Sequence, residues 1–154
     1  MQDKKEYIDL LGKAEYYCSR FEKCPDDIYK YLSKYTENNE LINNVINELL
    51  ANSYLDIDRY IKAYVNDKIR FERWGKFKIA YLLKQKKLPG KKVNEALAQI
   101  DEAEYGKMLK DLIKSKSSVI REPDLLKRKA SLIRFCISRG FEYELILSTL
   151  EDLE

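Results

Sequence analysis

Five apolar columns recur three times along this chain of 154 residues. Ile28, Leu32, Ile42, Ile46 and Leu49 return 51 residues later as Ile79, Leu83, Val93, Leu97 and Ile100. A further step of 53 gives Leu132, Cys136, Ile146, Leu150 and Leu153. Within each copy the spacings are helical, and a polar break separates the second column from the third. A period near 50 residues signals stacked supersecondary units, each too small to bury its apolar face alone. The predicted fold is all-α: three tandem three-helix repeats, helix-turn-helix-like, forming an elongated, curved single domain. The repeats are bounded near 4–53, 54–100 and 101–154.

Local signals place the helices. Ile8, Leu11, Ala14 and Cys18 mark a first helix from Lys4 to about Phe21. Pro25 suits the first turn of the next, and Asp26 and Asp27 favour its positive end. That helix should reach about Tyr35. After Thr36-Glu37-Asn38-Asn39, a third runs from Glu40 to about Ala51. Asp56 or Asp58 can cap a helix ending near Arg70. Trp74-Gly75 is a turn, and the following helix carries Phe77, Ile79, Leu82 and Leu83. Pro89-Gly90 breaks the chain before a helix from Lys91 to Gln99. The third copy starts near Asp101, passes through a Ser-rich stretch from Lys114 to Pro123 expected to be loose, and continues with helices Leu125–Arg139 and Glu142–Leu153. Gly140 stands where a left-handed residue ends a helix. No stretch alternates in the manner of a strand.

Gly and Pro number only five and three, in keeping with helices and short connections. No apolar run approaches the roughly 18 residues of a membrane span. Met1-Gln2-Asp3-Lys4-Lys5-Glu6 has no apolar leader segment, so a cytoplasmic protein without membrane contact is expected. Cys18, Cys24 and Cys136 form no CxxC motif and there is no His, which predicts free thiols and neither metal nor cofactor.

The same inventory argues against catalysis. General acid–base work usually uses a His or a carboxylate in an apolar setting. Here the acids near helix starts (Asp26, Asp27, Asp56, Asp58, Asp101, Glu102) are explained by capping. Neither a phosphate-binding glycine loop nor a nucleophile elbow occurs.

Charge is distributed in blocks. Residues 1–58 hold seven basic and twelve acidic side chains, net −5; residues 59–92 hold twelve and two, net +10; residues 93–154 hold ten and twelve, net −2. The middle block opens with Arg59 and Lys62, and Lys68, Arg70, Arg73, Lys76 and Lys78 cluster about the Trp74-Gly75 turn. Lys84, Lys86, Lys87, Lys91 and Lys92 surround the Pro89-Gly90 turn. Only Asp67 and Glu72 interrupt them, whereas a merely solvated helix face ordinarily mixes Lys with Glu. Such a cluster can hold a polyanion through charge and counterion release, or an acidic protein surface. Lys127, Arg128, Lys129, Arg134 and Arg139 extend the basic set into the third copy. The twelve Tyr and one Trp could stack on bases, but half-buried helical packing explains most of them, and Tyr64, Tyr81 and Trp74 are core or near-core candidates. Lys91, Lys92 and Asn94 at the start of a helix suit phosphate contact better than base reading.

The stretch Tyr54-Leu55-Asp56-Ile57-Asp58-Arg59-Tyr60-Ile61-Lys62-Ala63-Tyr64, with Arg73-Trp74-Gly75-Lys76-Phe77-Lys78-Ile79, resembles the middle repeat of the RecX family, regulators of the RecA recombinase. The Trp-Gly-Lys form is similar to a Bacteroidetes-type branch. Tyr17-Cys18-Ser19-Arg20, Lys23-Cys24 and Tyr31-Leu32 are similar to the first repeat. Ile137-Ser138-Arg139-Gly140-Phe141-Glu142 is similar to a junction in the last. Lys87-Leu88 stands where the family often has Lys-Gly, and Ile61 where it often has Ala.

The resemblance implies three tandem three-helix repeats and no active site. It also implies a protein that binds the RecA–single-stranded DNA filament and lowers its ATPase and strand exchange, in DNA repair, recombination and the SOS response. The basic residues above would then meet RecA or single-stranded DNA, the DNA either directly or through RecA; a monomer is expected. The other readings are a helical DNA-binding transcription regulator and a protein–protein adaptor.

Overall fold

A computed structural model describes residues 2–154, with side chains from Lys4 onward; Met1 lies outside the described residues. The described residues form nine helices and no strand: α1 (Gln2–Cys18), α2 (Pro25–Leu32), α3 (Asn39–Ala51), α4 (Ile57–Arg70), α5 (Lys76–Gln85), α6 (Gly90–Ala98), α7 (Glu102–Val119), α8 (Leu125–Ser138) and α9 (Tyr143–Asp152).

The repeated columns are the core. Ile28, Ile79 and Leu132 are buried, as are Leu32, Leu83 and Cys136, and so are the next two columns. In the fifth column Leu49 is buried, while Ile100 and Leu153 are half-buried.

The chain packs as two compact units. The first comprises residues 1–63 with 86–88, and the second residues 64–85 with 89–154. In the first, α1, α2 and α3 pack on one another around Leu10, Ala14, Ile28, Ile42 and Leu49. In the second, α7, α8 and α9 do the same around Tyr105, Leu109, Ile113, Cys136 and Ile146, and α5 packs on α6.

Caps fix the helix ends. Asn38 accepts a hydrogen bond from the Leu41 amide at 3.1 Å, Asp101 from that of Glu104 at 3.0 Å, and Asp56 from that of Arg59 at 2.9 Å. At the end of α8 the Phe141 amide bonds to the Cys136 carbonyl at 3.1 Å and the Gly140 amide to that of Ile137 at 2.9 Å. With Gly140 at φ 97°, this is a Schellman motif, and Phe141 packs in the same core as Cys136.

Two expectations are corrected. Tyr81 is 61% exposed, and Phe77, also counted among the apolar positions of its helix, is 63% exposed. The inward face of α5 is set by Ile79 and Leu83, and a step of two residues, about 200° around a helix, turns a side chain to the opposite face. Nor is the Ser-rich stretch a loop throughout. α7 continues to Val119, and the Ser118 hydroxyl donates to the Ser115 carbonyl at 2.7 Å.

Candidate functional site

The Trp74-Gly75 turn is the best-defined part of the basic block. Arg73 has φ 55°, a left-handed conformation that lets α4 end while the Trp74 amide bonds back to the Lys68 carbonyl at 3.0 Å. Two ammonium groups approach the indole, with Lys68 Nζ 4.8 Å and Lys78 Nζ 4.3 Å from its centre. Each contact is attractive through the ring quadrupole. The turn docks backbone to backbone on the end of α8. The Gly75 amide donates to the Arg139 carbonyl at 2.7 Å and the Phe77 amide to that of Gly140 at 3.0 Å.

Tyr105 completes this junction. Its hydroxyl accepts from the Lys76 amide at 2.9 Å and donates to Glu142 at 2.7 Å. Burial, together with Glu142, pushes the phenol well above its ordinary pKa, so it remains a donor. Trp74-Gly75-Lys76 and Arg139-Gly140-Phe141-Glu142, the two segments that carried much of the sequence resemblance, therefore meet in one packing site.

Several predicted cations are engaged within the protein. Arg59 contacts both oxygens of Glu22 at 2.7 Å and also donates to the Ser53 and Tyr54 carbonyls. Lys76 pairs with Glu102 and lies 4.9 Å from the Tyr105 ring centre. Lys86 pairs with Asp27 at 2.8 Å, while Lys87, though 83% exposed at its side chain, comes within 3.9 Å of Asp26. Arg128 donates to the Ile120, Glu122 and Ser117 carbonyls at 2.7, 3.3 and 2.9 Å, tying the turn after α7. The Arg139 guanidinium lies 5.4 Å from the Phe135 ring centre, and its Nε is buried without a hydrogen-bond partner.

The remaining candidates, Lys62, Arg70, Arg73, Lys84, Lys91, Lys92, Lys127, Lys129 and Arg134, are exposed. Arg59, Lys62, Lys86 and Lys87 fall in the first compact unit and the other thirteen in the second. Sequence reasoning missed Tyr105, which has no local signal. It named Asp27 only as an acid near a helix start, although Asp27 accepts the Cys24 amide at 3.0 Å, an arrangement legible as a cap residue followed by an acid three positions later.

The Asp27–Lys86 pair gives a pH prediction. Burial tends to raise the Asp27 pKa, but the hydrogen bonds from Lys86 and the Cys24 amide outweigh it and hold the carboxyl below its ordinary value. A carboxyl depressed in the native state adds stability above its unfolded pKa of about 3.9, and that contribution is lost as pH falls through the native value. Lys86→Met should cost about 1–2 kcal/mol near neutral pH, discounting for the partial exposure of both groups. Urea midpoints for the wild type and Lys86→Met should converge as pH is lowered through the acid range; a constant gap would exclude the pair as its source.

The three cysteines are unpaired. Burial pushes the thiols of Cys18 and Cys136 up to about 11, so both stay protonated at neutral pH. Among the described residues no group of His, Cys, Asp and Glu is arranged to hold a metal ion, and no helix is long and apolar enough to cross a membrane.

Fold and surface define a class of all-α proteins built from serial three-helix units, with cations and aromatic rings displayed on helix faces and turns. The family is RecX. Residues 58–97 match the family model described as the RecX second three-helix domain. The chain is 28% identical to the regulatory protein RecX of Streptococcus uberis over 136 residues, covering 86% of this chain and 51% of that protein. It is also 28% identical to the regulatory protein RecX of Clostridium tetani over 153 residues, covering 98% and 70%. Its fold matches a crystal structure of regulatory protein RecX with a TM-score of 0.87 at 18% identity, over 97% of this chain and 74% of that one. The chain thus spans about half the length of the Streptococcus relative.

Proposed function

We propose that this protein is a RecX-type regulator that binds the RecA–single-stranded DNA filament and lowers its ATPase and strand exchange. It acts by binding rather than by catalysis, as a monomer in the cytoplasm, in recombination and DNA repair. The relatives' name, regulatory protein, supports the regulatory part, and the family resemblance supplies RecA as the partner. The observation that carries the proposal is the exposed cation set Arg70, Arg73, Lys84 and Lys91, all in the second compact unit. From Arg73 to Lys92 the chain has no acidic residue at all. A surface of this kind suits a phosphate backbone or an acidic protein groove. The repeats bounded near 4–53, 54–100 and 101–154 give it three similar scaffolds, of which the middle one carries the charge.

Co-sedimentation with RecA on single-stranded DNA and ATP, read alongside steady-state ATP hydrolysis, tests the proposal. The protein should pellet with the filament, and hydrolysis should fall as it is added. Tight binding to one selected duplex sequence, with none to the filament, would establish the transcription-regulator reading instead.

A further inference from the structure

We propose that the outer face of α5 is a base-stacking surface: Phe77 and Tyr81, flanked by exposed cations, take the unstacked bases of a single strand without help from another protein. The inference deepens the reading above and rests on it for the choice of nucleic acid as ligand.

The solvent face of a helix in a basic protein ordinarily carries charge. Here the exposed positions of α5 are Phe77, Tyr81, Lys84 and Gln85, spaced at i, i+4, i+7 and i+8. The rings are 63% and 61% exposed, and Phe71, just beyond α4, is 79% exposed. Three bare aromatic rings within eleven residues lie in the most cationic part of the chain.

One of these rings is held by its own hydroxyl, and the other rises from an anchored stretch of backbone. The Tyr81 hydroxyl accepts from Gln85 Nε2 at 2.8 Å, and the Phe77 amide is anchored on the Gly140 carbonyl at 3.0 Å. Side chains four apart on a helix rise from one face with Cβ atoms about 5–6 Å apart. Neighbouring bases of a splayed strand can therefore each meet a ring. Arg70, Arg73 and Lys84 are exposed in the same compact unit and have the sign needed for the backbone phosphates.

Charge complementarity calls for a polyanion, and bare rings call for one with open π faces. A duplex offers only its edges, whereas a single strand offers both phosphate and base face. An acidic protein would satisfy the cations, but its own carboxylates are repelled by the negative faces of the rings.

The test uses the full chain and no recombinase. Fluorescence anisotropy compares a labelled oligothymidylate with an abasic strand of equal length and charge. The wild type should prefer the base-bearing strand at least tenfold. Phe77→Ala/Tyr81→Ala should weaken that binding by about 5- to 150-fold for each stacking ring removed, leave the abasic strand unaffected, and melt like the wild type. Phe77→Leu/Tyr81→Leu, which keeps apolar area without rings, should not restore the preference. Equal binding of the two strands by the wild type, or a double variant that keeps the preference, would overturn the inference. Normal binding of bare strands by the variant with loss of filament binding would make the face a protein contact and overturn it as well. Failure of the wild type to bind filaments would overturn the regulatory reading, whatever these anisotropies show.

Discussion

Replacing Gly75 by alanine should lower the thermal midpoint by roughly 6–12 °C, at about 2–4 °C per kcal/mol for a chain of this length. A Cβ on Gly75 would fall on the carbonyl carbon and oxygen of Gly140 and on the Phe141 amide nitrogen. All three are backbone atoms, so no rotamer change relieves the overlap. Separating the two turns stretches the bonds from the Gly75 amide to the Arg139 carbonyl and from the Phe77 amide to the Gly140 carbonyl. Breaking both and disturbing the packing around Tyr105 should cost about 3 kcal/mol. Gly140→Ala should be at least as damaging, because its φ of 97° disfavours any side chain and its Cβ would meet Lys78. Gly12, with open space around it in the middle of α1, is the control, and Gly12→Ala should be neutral or stabilising by about 0.5–1 kcal/mol. Melting followed by Trp74 fluorescence reports directly on the junction. A Gly75→Ala protein that melts with the wild type would show that the two turns are not docked.

Reversing Arg70, Arg73, Lys84 and Lys91 to glutamate should abolish filament binding and ATPase inhibition while leaving the fold intact. These four are exposed, whereas Lys76 and Lys86 are ion-paired inside the protein and would confuse loss of binding with loss of stability. Each single-strand phosphate neutralised contributes about −0.7 to the slope of log affinity against log salt. Four such contacts predict roughly a 50-fold fall in wild-type affinity between about 50 and about 200 mM salt. The reversed protein should show neither the affinity nor the slope. Circular dichroism on both proteins separates loss of binding from loss of fold. Normal inhibition by the reversed protein would remove the basic block from the interface. A flat salt response of the wild type would indicate an apolar contact surface in its place.

The helices and their buried faces were legible in the chain because both are local properties. A spacing of three and four residues puts Ile28 beside Leu32 and Ile42 beside Ile46 on one side of a helix, wherever that helix lies. Caps are local too, so Asn38 and Asp101 marked their helix starts, and Gly140 marked an end. The inventory of cations was equally visible. Only the tertiary structure decided what each cation does. Lys86 meets Asp27 across 59 positions, Arg59 meets Glu22 across 37, and Lys76 meets Glu102 across 26. No periodicity encodes those partners, because they depend on which turns the packed helices bring together. The exposure of Phe77 and Tyr81 was settled in the same way: a ring on α5 is core or surface according to which face Ile79 and Leu83 turn inward.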